Sequence, residues 1–212
     1  LALRCFTPEQ CVYAISVSHP DKVYRDRTVD FFNQHIEAAV RLDCDHMVVS
    51  TGFAYLDVDA EDAFGWCAEA MGRIARKAEQ EGVTLAVEPF TKYTTHICNE
   101  ASQLRRLLRT VNSPRLTGLA DTDVIATTAV DTFSTFLDVI GPENLGHVHF
   151  VDGNPGGHLV PGDGVLDLDG ALEKLKAIHY TGALGLEVLD RRYVFAPEAA
   201  MKQAMDWYKE RI

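Results

Sequence analysis

Short apolar runs alternating with longer amphipathic segments constrain the fold of this chain more than any other sequence feature. The runs are rich in Val, Leu, Ile and Ala and mostly lack a polar residue at every second position, as is typical of strands buried on both faces of a parallel sheet. The predicted strands are Leu1–Phe6, His46–Ser50, Val83–Glu88, Leu116–Asp121, Gly146–Asp152 and Ala183–Leu189. Between them, apolar residues at helical spacing predict the helices Tyr24–Leu42, Ala60–Gly82, one from about Asn99 to before Pro114, Val130–Ile140, Leu168–Ile178 and Ala196–Glu210.

Each strand and the helix after it form one βα unit, and the units follow one another along the whole chain. Successive strands begin about 30–40 residues apart, which is the length of such a unit. Six units fit either an open, doubly wound parallel sheet or a (β/α) barrel, which closes with eight strands. In the second case we expect residues 1–212 to form a single barrel domain whose first two units are missing at the N-terminus.

Composition and charge narrow the classes of function. The chain has 20 Lys and Arg against 31 Asp and Glu, a net charge of −11, which argues against a nucleic-acid partner because phosphate binding needs a basic surface. No apolar run is long enough for a membrane span, and no signal peptide is visible. The five cysteines are widely spaced and form no CxxC motif, so we expect reduced thiols in a cytoplasmic protein.

Residues able to bind a metal stand at or near the ends of four consecutive predicted strands. Glu88 and Asp121 end their strands, the next strand carries His147 and His149, and the last carries Glu187. Because the carboxyl ends of parallel strands lie on one side of a sheet and circle one axis in a barrel, these side chains can reach a common point. A lone Glu after an apolar run is usually a solvent-facing strand end, but four such residues in succession favour a site.

Glu88, Asp121, His149 and Glu187 together offer three carboxylates and one imidazole. This set suits a hard or borderline divalent cation, so Mn²⁺ is the first expectation, Mg²⁺ and Co²⁺ are alternatives, and Zn²⁺ ranks lower because the set contains no cysteine.

Several segments resemble the xylose-isomerase-like TIM-barrel superfamily of sugar isomerases and epimerases. They are LAVEPFTKYTTHICN, LADTD, HVHFVDGNPGGHLVPGDG and LGLEV, and the HVHxxD run followed by HLVPGDG is the most specific of them. Within the superfamily, the chain is most similar to ketose 3-epimerases and to proteins of the fructoselysine 3-epimerase type. The resemblance favours the barrel and implies that Leu1–Phe6 is its third strand.

The resemblance also implies a metal site and a reaction. In the superfamily the ligands are Glu, Asp, His and Glu on successive late strands, which here match Glu88, Asp121, His149 and Glu187. The metal polarises the C2 carbonyl of a ketose and stabilises an enediolate, while the two glutamates act as acid and base on opposite faces of C3. The expected partner is a small-molecule sugar. Many members are homo-oligomers, so self-association is an option for this chain.

The substrate-contacting positions of the best-known ketose 3-epimerases differ here. Val124 stands where many relatives carry a His, and Thr94 stands where many carry a second Glu. His158, in the loop after the metal His, is a candidate substrate-binding residue at a place where other relatives carry an Arg nearby.

Three further polar residues are weaker candidates. His96 and Asn99 follow Glu88 and could contact substrate, although Asn99 is equally suited to capping the next helix. Asp152 could accept a hydrogen bond from the second ring nitrogen of His149, as acceptors beside metal-bound histidines do.

Other functions fit the same residues. An aldose–ketose isomerase or an inosose dehydratase could use the same site. An endonuclease-IV-like DNA repair enzyme shares the barrel, but it needs more metal-binding histidines and a basic groove. A chain lacking two barrel units could also be a non-catalytic fragment.

Overall fold

The computed structural model describes residues 2–8, 14–53, 55 and 57–211 of the chain. In this part, the helices are α1 (Lys22–Arg41), α2 (Ala60–Glu81), α3 (Ala101–Val111), α4 (Thr122–Thr128), α5 (Phe133–Ile140), α6 (Leu168–Ala177) and α7 (Pro197–Lys209). The strands are β1 (His46–Ser50), β2 (Thr84–Glu88), β3 (Leu116–Asp121), β4 (Leu145–His149) and β5 (Leu184–Gly185). Strands and helices therefore alternate as the sequence predicts.

The five strands form one sheet in the order of the chain, and every neighbouring pair is parallel. Parallel neighbours need a connection that returns to the same end, and helices supply it between consecutive strands. The result is a five-stranded parallel half-barrel with helices outside it, which confirms the predicted α/β barrel class.

Two predicted strands are largely absent as strands. Of Leu1–Phe6, Leu1 lies outside the described residues, and only Phe6 pairs, through a parallel bridge to Met47. In place of Ala183–Leu189, only Leu184–Gly185 exchanges hydrogen bonds with β4. Both segments are apolar, but a strand also needs a paired neighbour along its length, and apolar pattern alone does not report that pairing.

The predicted helices are observed with boundaries close to those expected, apart from one helix that begins later and one short helix that was not predicted. Gly82 ends α2 in the left-handed conformation at φ 73°, as expected for a glycine after a helix. The predicted helix Val130–Ile140 begins only at Phe133, where Thr132 forms a capping box. The short helix α4 directly after β3 was not predicted.

Alternate strand residues face opposite sides of the sheet, and this alternation separates the core from the site. Met47, Val49, Leu85 and Val87 face outward into the main core between sheet and helices. Their neighbours face the barrel interior, where a smaller cluster is formed by Val48, Ala86, Leu119 and Cys5. Residues two positions further along β1, β2 and β3 share this interior face and lie at its carboxyl end.

The four cysteines in the described part of the chain, Cys5, Cys44, Cys67 and Cys98, are free, and Cys11 lies outside that part. Among the described residues, none of the helices has both the length and the apolar character needed to cross a membrane.

Truncation of Leu104 in α3 should destabilise the fold strongly. Leu104 is fully buried and packs directly against Gly118 in β3. A Cβ atom added to Gly118 would lie only 2.7 Å from Cδ2 of Leu104. We expect Leu104→Ala to lower the free energy of unfolding by about 2–5 kcal/mol, because it leaves a cavity. Urea unfolding with an unchanged m-value checks this, and Leu42→Ala at an exposed position should change stability little.

Candidate functional site

The carboxyl ends of the strands bring the four predicted ligands to one place. Glu88, Asp121 and His149 are the last residues of β2, β3 and β4, and Asp121 is in register with His149. Gly185 in β5 is also in register with His149, and Glu187 follows two residues later on the same side. One ligand atom from each of the four residues lies within 4.8 Å of the other three.

His149 Nδ1 is the point on which the carboxylates converge. It lies 2.9 Å from Glu88 Oε1, 3.2 Å from Glu187 Oε2 and 3.5 Å from Asp121 Oδ2. A ring nitrogen has one proton at most and cannot donate well to three oxygens at once. Such convergence of oxygens and nitrogen is the arrangement expected around a cation.

The two carboxylate oxygens of Asp121 have different environments. Oδ1 caps α4 by accepting the backbone N–H groups of Asp123 and Val124, both at 2.8 Å. Oδ2 is buried and faces the cluster, where it forms no hydrogen bond; the ring nitrogens of His158 and His149 lie 3.3 and 3.5 Å from it. Since a buried carboxylate oxygen without a hydrogen bond is costly, this atom supports a ligand at the centre of the cluster.

Burial and mutual charge shift the protonation equilibria of the cluster. Burial raises the pKa of Glu88, and its contact with His149 only partly offsets that effect. Burial acts in the same direction on Asp121, but His149 and His158 outweigh it and hold the pKa of this carboxyl well below its usual range. Burial by itself lowers the pKa of His149, yet the surrounding carboxylates raise it to about 12.

His158, which the sequence suggests as a substrate-binding residue, lies beside the four candidate ligands. Its Nε2 atom is 3.3 Å from Asp121 Oδ2 and 3.6 Å from Glu187 Oε2, and its Nδ1 atom is 3.0 Å from Asp123 Oδ2. Burial lowers the pKa of His158, but Asp121 and Asp123 reverse the shift and raise it to about 10.

Asp123 was missed from the sequence although it is fully buried at this site. The sequence signal was a second Asp two residues after Asp121, at the start of the unpredicted helix α4.

The other candidate residues make different contacts. The Asn99 side chain donates to the Thr95 carbonyl, and the N-cap position of α3 is held by Glu100, whose side chain makes no capping hydrogen bond. The His96 carbonyl accepts from Gln103, and neither His96 nor Asn99 belongs to the four-residue cluster.

Asp152 does not make the hydrogen bond with His149 that the sequence suggests. Its carboxylate instead accepts backbone N–H groups of Gly153, Gly162 and Leu166 and so fixes the loop after β4.

His147 lies deeper in the barrel than the ligands. It shares the interior face with His149, and the two ring centroids are 5.4 Å apart in an edge-on arrangement. Burial lowers the pKa of His147 to about 4, with a further contribution from His149, so this imidazole is neutral at physiological pH.

The residues present fit a divalent metal ion. Three carboxylates and an imidazole converge, and the buried Oδ2 atom of Asp121 forms no hydrogen bond within the described residues. A cavity of about 420 Å³ adjoins His149 and Glu187 between β5 and residues 2–7, a volume suited to a small molecule.

Fold and site together are those of a barrel protein with a candidate metal site, and comparison with known proteins identifies the family. The chain belongs to the xylose isomerase-like TIM barrel family, whose model matches residues 4–211. This confirms the resemblance stated from the sequence.

Several relatives and structural neighbours of the chain are sugar epimerases. A fructoselysine 3-epimerase from Shigella flexneri is 26% identical over 206 residues, which cover 96% of this chain and 74% of that protein. The crystal structure of a 3-keto-D-glucoside 4-epimerase from E. coli superposes with a TM-score of 0.87 at 18% identity, covering 99% of this chain and 80% of the other. The IOLI protein, solved with a zinc atom bound, has a TM-score of 0.78 at 18% identity and coverages of 97% and 73%. These comparisons class the chain with the isomerase-type enzymes of the family.

Proposed function

We propose that this protein is a divalent-metal-dependent sugar epimerase that inverts C3 of a ketose or ketose derivative. Glu88, Asp121, His149 and Glu187 hold the metal, and the two glutamates also transfer the protons. The proposal rests on the convergence of these four side chains, whose ligand atoms lie within 4.8 Å of one another near the strand ends. The similarity to a fructoselysine 3-epimerase supports C3 as the reacting centre.

The two glutamates differ in ways that suit a pair of proton-transfer groups. Glu88 is buried at the end of β2, and Glu187 is about one-third exposed beyond β5, so they approach the centre from different strands. One carboxylate removes the C3 proton, the electrons of that C–H bond pass into the C2 carbonyl, and the other carboxyl group returns a proton to the opposite face of C3. A bound divalent ion would supply the Lewis acid that polarises the carbonyl and stabilises the enediolate charge.

Mn²⁺ is the proposed metal, because oxygen-rich sites with one imidazole suit hard or borderline ions. Mg²⁺, Co²⁺ and Zn²⁺ belong in the same test, and the zinc in a structurally similar protein makes Zn²⁺ a necessary comparison.

Metal binding should depend steeply on pH. The carboxylates around His149 raise its pKa to about 12, so the imidazole of the metal-free site is protonated at neutral pH. A metal that takes this nitrogen must displace the proton, so we expect the apparent affinity for Mn²⁺ to rise about tenfold per pH unit for each proton displaced. Titration calorimetry at pH 6, 7 and 8, in buffers of different ionisation enthalpy, measures both quantities. Equal affinity at all three values with no proton release would contradict the prediction.

Proton exchange in D₂O tests the proposed reaction. The metal-loaded protein is incubated with fructoselysine and a panel of ketohexoses, and NMR locates the incorporated deuterium. We expect incorporation at C3 together with appearance of the C3 epimer, and no incorporation after the metal is removed with a chelator.

The same assay separates the alternative functions. Exchange at C1 would indicate aldose–ketose isomerisation, and loss of water from an inosose would indicate a dehydratase. No exchange with any sugar would contradict the epimerase proposal and leave the endonuclease or a non-catalytic fragment. The net charge of −11 and the single imidazole among the four clustered ligands favour a sugar over DNA.

A further inference from the structure

The pair Asp123–His158 lies against the four-residue cluster and takes no part in the proton transfers described above. Asp123 follows Asp121 by two positions in α4, whereas His158 belongs to the loop after β4. The two residues connect that loop to the cluster, and every contact in the connection is made by a buried or half-buried group.

Asp123 anchors the loop through its backbone. Its Oδ1 atom accepts the N–H group of Gly156 at 2.5 Å, and its Oδ2 atom accepts the N–H group of His158 at 2.9 Å. The loop backbone also approaches the carboxylate closely at Gly153, where an added Cβ would lie 1.9 Å from Oδ1. With both oxygens engaged, this fully buried carboxylate determines where the loop lies.

His158 is held in an unusual backbone conformation that directs its ring to the cluster. Its φ is 48°, in the left-handed region that non-glycine residues adopt mainly when the surrounding structure requires it. Asp123 Oδ2 lies 3.0 Å from one ring nitrogen, and the other nitrogen lies 3.3 Å from Asp121 Oδ2 and 3.6 Å from Glu187 Oε2.

The two ligands that His158 approaches differ in how well they are held. The role of Asp121 as the cap of α4 already fixes its carboxylate. Glu187 lies beyond a strand of two residues, and 34% of its side chain is exposed. It is therefore the ligand that most needs an external contact to keep its orientation.

We propose that Asp123 and His158 form a strap that positions Asp121 and Glu187 for metal binding and couples the loop of residues 153–158 to the metal. Asp123 orients the ring, and the ring holds the two carboxylates at the spacing that the ion requires. Partners that orient metal ligands in this way contribute strongly to affinity. Both residues are positioning residues, and the inference rests on the metal-dependent function proposed above.

Substitution of His158 tests the strap through metal affinity, which does not depend on turnover. Asn tolerates the left-handed conformation and is too short to reach the carboxylates, so His158→Asn removes the contact without adding backbone strain. We expect its Kd for Mn²⁺, measured by calorimetry on metal-depleted protein, to rise about 10- to 100-fold. His179→Asn is the matched control, because His179 has a similar φ of 55° but is exposed. Its Kd should stay within twofold of the wild-type value.

Two further readouts separate a strap from a merely structural residue. His158→Gln keeps a donor near the position of Nε2, so we expect it to recover part of the lost affinity. Mn²⁺ should also slow hydrogen exchange at the Gly156 and His158 N–H groups of the wild-type protein, and in His158→Asn this protection should be lost at the Gly156 N–H group.

A Kd for His158→Asn within twofold of wild type would overturn the strap while leaving the metal site intact. Failure of the wild-type protein to bind Mn²⁺, Mg²⁺, Co²⁺ or Zn²⁺ would instead overturn the metal-dependent function and the strap together. If His158→Asn does not fold, equal affinities of His158→Gln and wild type with no metal-dependent protection of the loop would likewise overturn the strap.

Discussion

Glu187→Gln is expected to lower the rate of C3 epimerisation roughly 100- to 10,000-fold while the protein remains folded. Gln has almost the same shape as Glu but can neither accept nor donate the C3 proton, so either the step that breaks the C–H bond loses its base or the step that re-forms it loses its acid. Glu88→Gln should have an effect of the same order, because inversion needs a proton-transfer group on each face. The measurement is the rate at which the C3 epimer appears, compared with wild type at the same metal occupancy.

Metal content must be measured alongside the rate, because both glutamates also face the proposed metal. Each variant is assayed at saturating Mn²⁺, and its bound metal is determined by elemental analysis. Glu173→Gln, at an exposed position of α6, is the control and should exchange at the wild-type rate. A Glu187→Gln variant that holds metal and turns over at a near-normal rate would show that Glu187 is not a proton-transfer group.

Asp121→Asn is expected to weaken Mn²⁺ binding more than about 100-fold, beyond the loss expected for residues that only orient a ligand. The buried Oδ2 atom of Asp121 forms no hydrogen bond in the described structure, and Asn would remove the negative charge that the metal needs there. Asn is as good a helix cap as Asp, so the metal-free variant should keep its cap on α4. Calorimetric Kd values and thermal unfolding of the metal-free proteins test both parts.

Asp121→Ala separates capping from metal binding. It removes both functions, so it should bind metal as weakly as the Asn variant and also lose about 1 kcal/mol of stability through the missing cap. Asp59, which caps α2 by accepting the N–H groups of Glu61 and Asp62, offers the matched control. Asp59→Ala should lose similar stability and keep wild-type metal affinity. Wild-type affinity in Asp121→Asn would contradict its proposed role as a ligand.

The regular elements were predictable where local pattern and packing agree. The strands β1, β2 and β3 match the predicted runs to within one residue, because continuous apolar runs of this length suit a sheet covered by helices. Helix α2 was predicted to within one residue, since its apolar stripe and the Gly82 that follows its last turn lie within one stretch of sequence.

The errors arose where a neighbour decides the structure. Residue 6 and residues 184–185 pair with the sheet, but the remainder of each predicted strand does not. The apolar pattern of these two runs does not indicate where pairing with the neighbouring strand stops. Helix α4 was overlooked because Asp121 acts both as a strand end and as a cap, so the strand prediction concealed the helix signal.

The four-residue cluster could be predicted because each of its members ends a strand or, as Glu187 does, follows one closely, and parallel strands present their ends together. The roles of Asp123 and Asp152 could not be predicted in this way. Both carboxylates bind backbone N–H groups of the loop after β4, and the path of a loop depends on contacts distant in the chain.

The order of residues along the chain was enough to determine the alternation of strands and helices, their parallel arrangement and the four metal-ligand candidates. These follow from periodicities of two and about 3.6 residues and from the rule that parallel strands end on one side. Only the tertiary structure decided that Asp121 Oδ2 forms no hydrogen bond and that the ring of His158 lies between Asp123 and two of these candidates, Asp121 and Glu187. Those facts depend on distances between atoms far apart in sequence, which packing sets and local pattern does not encode.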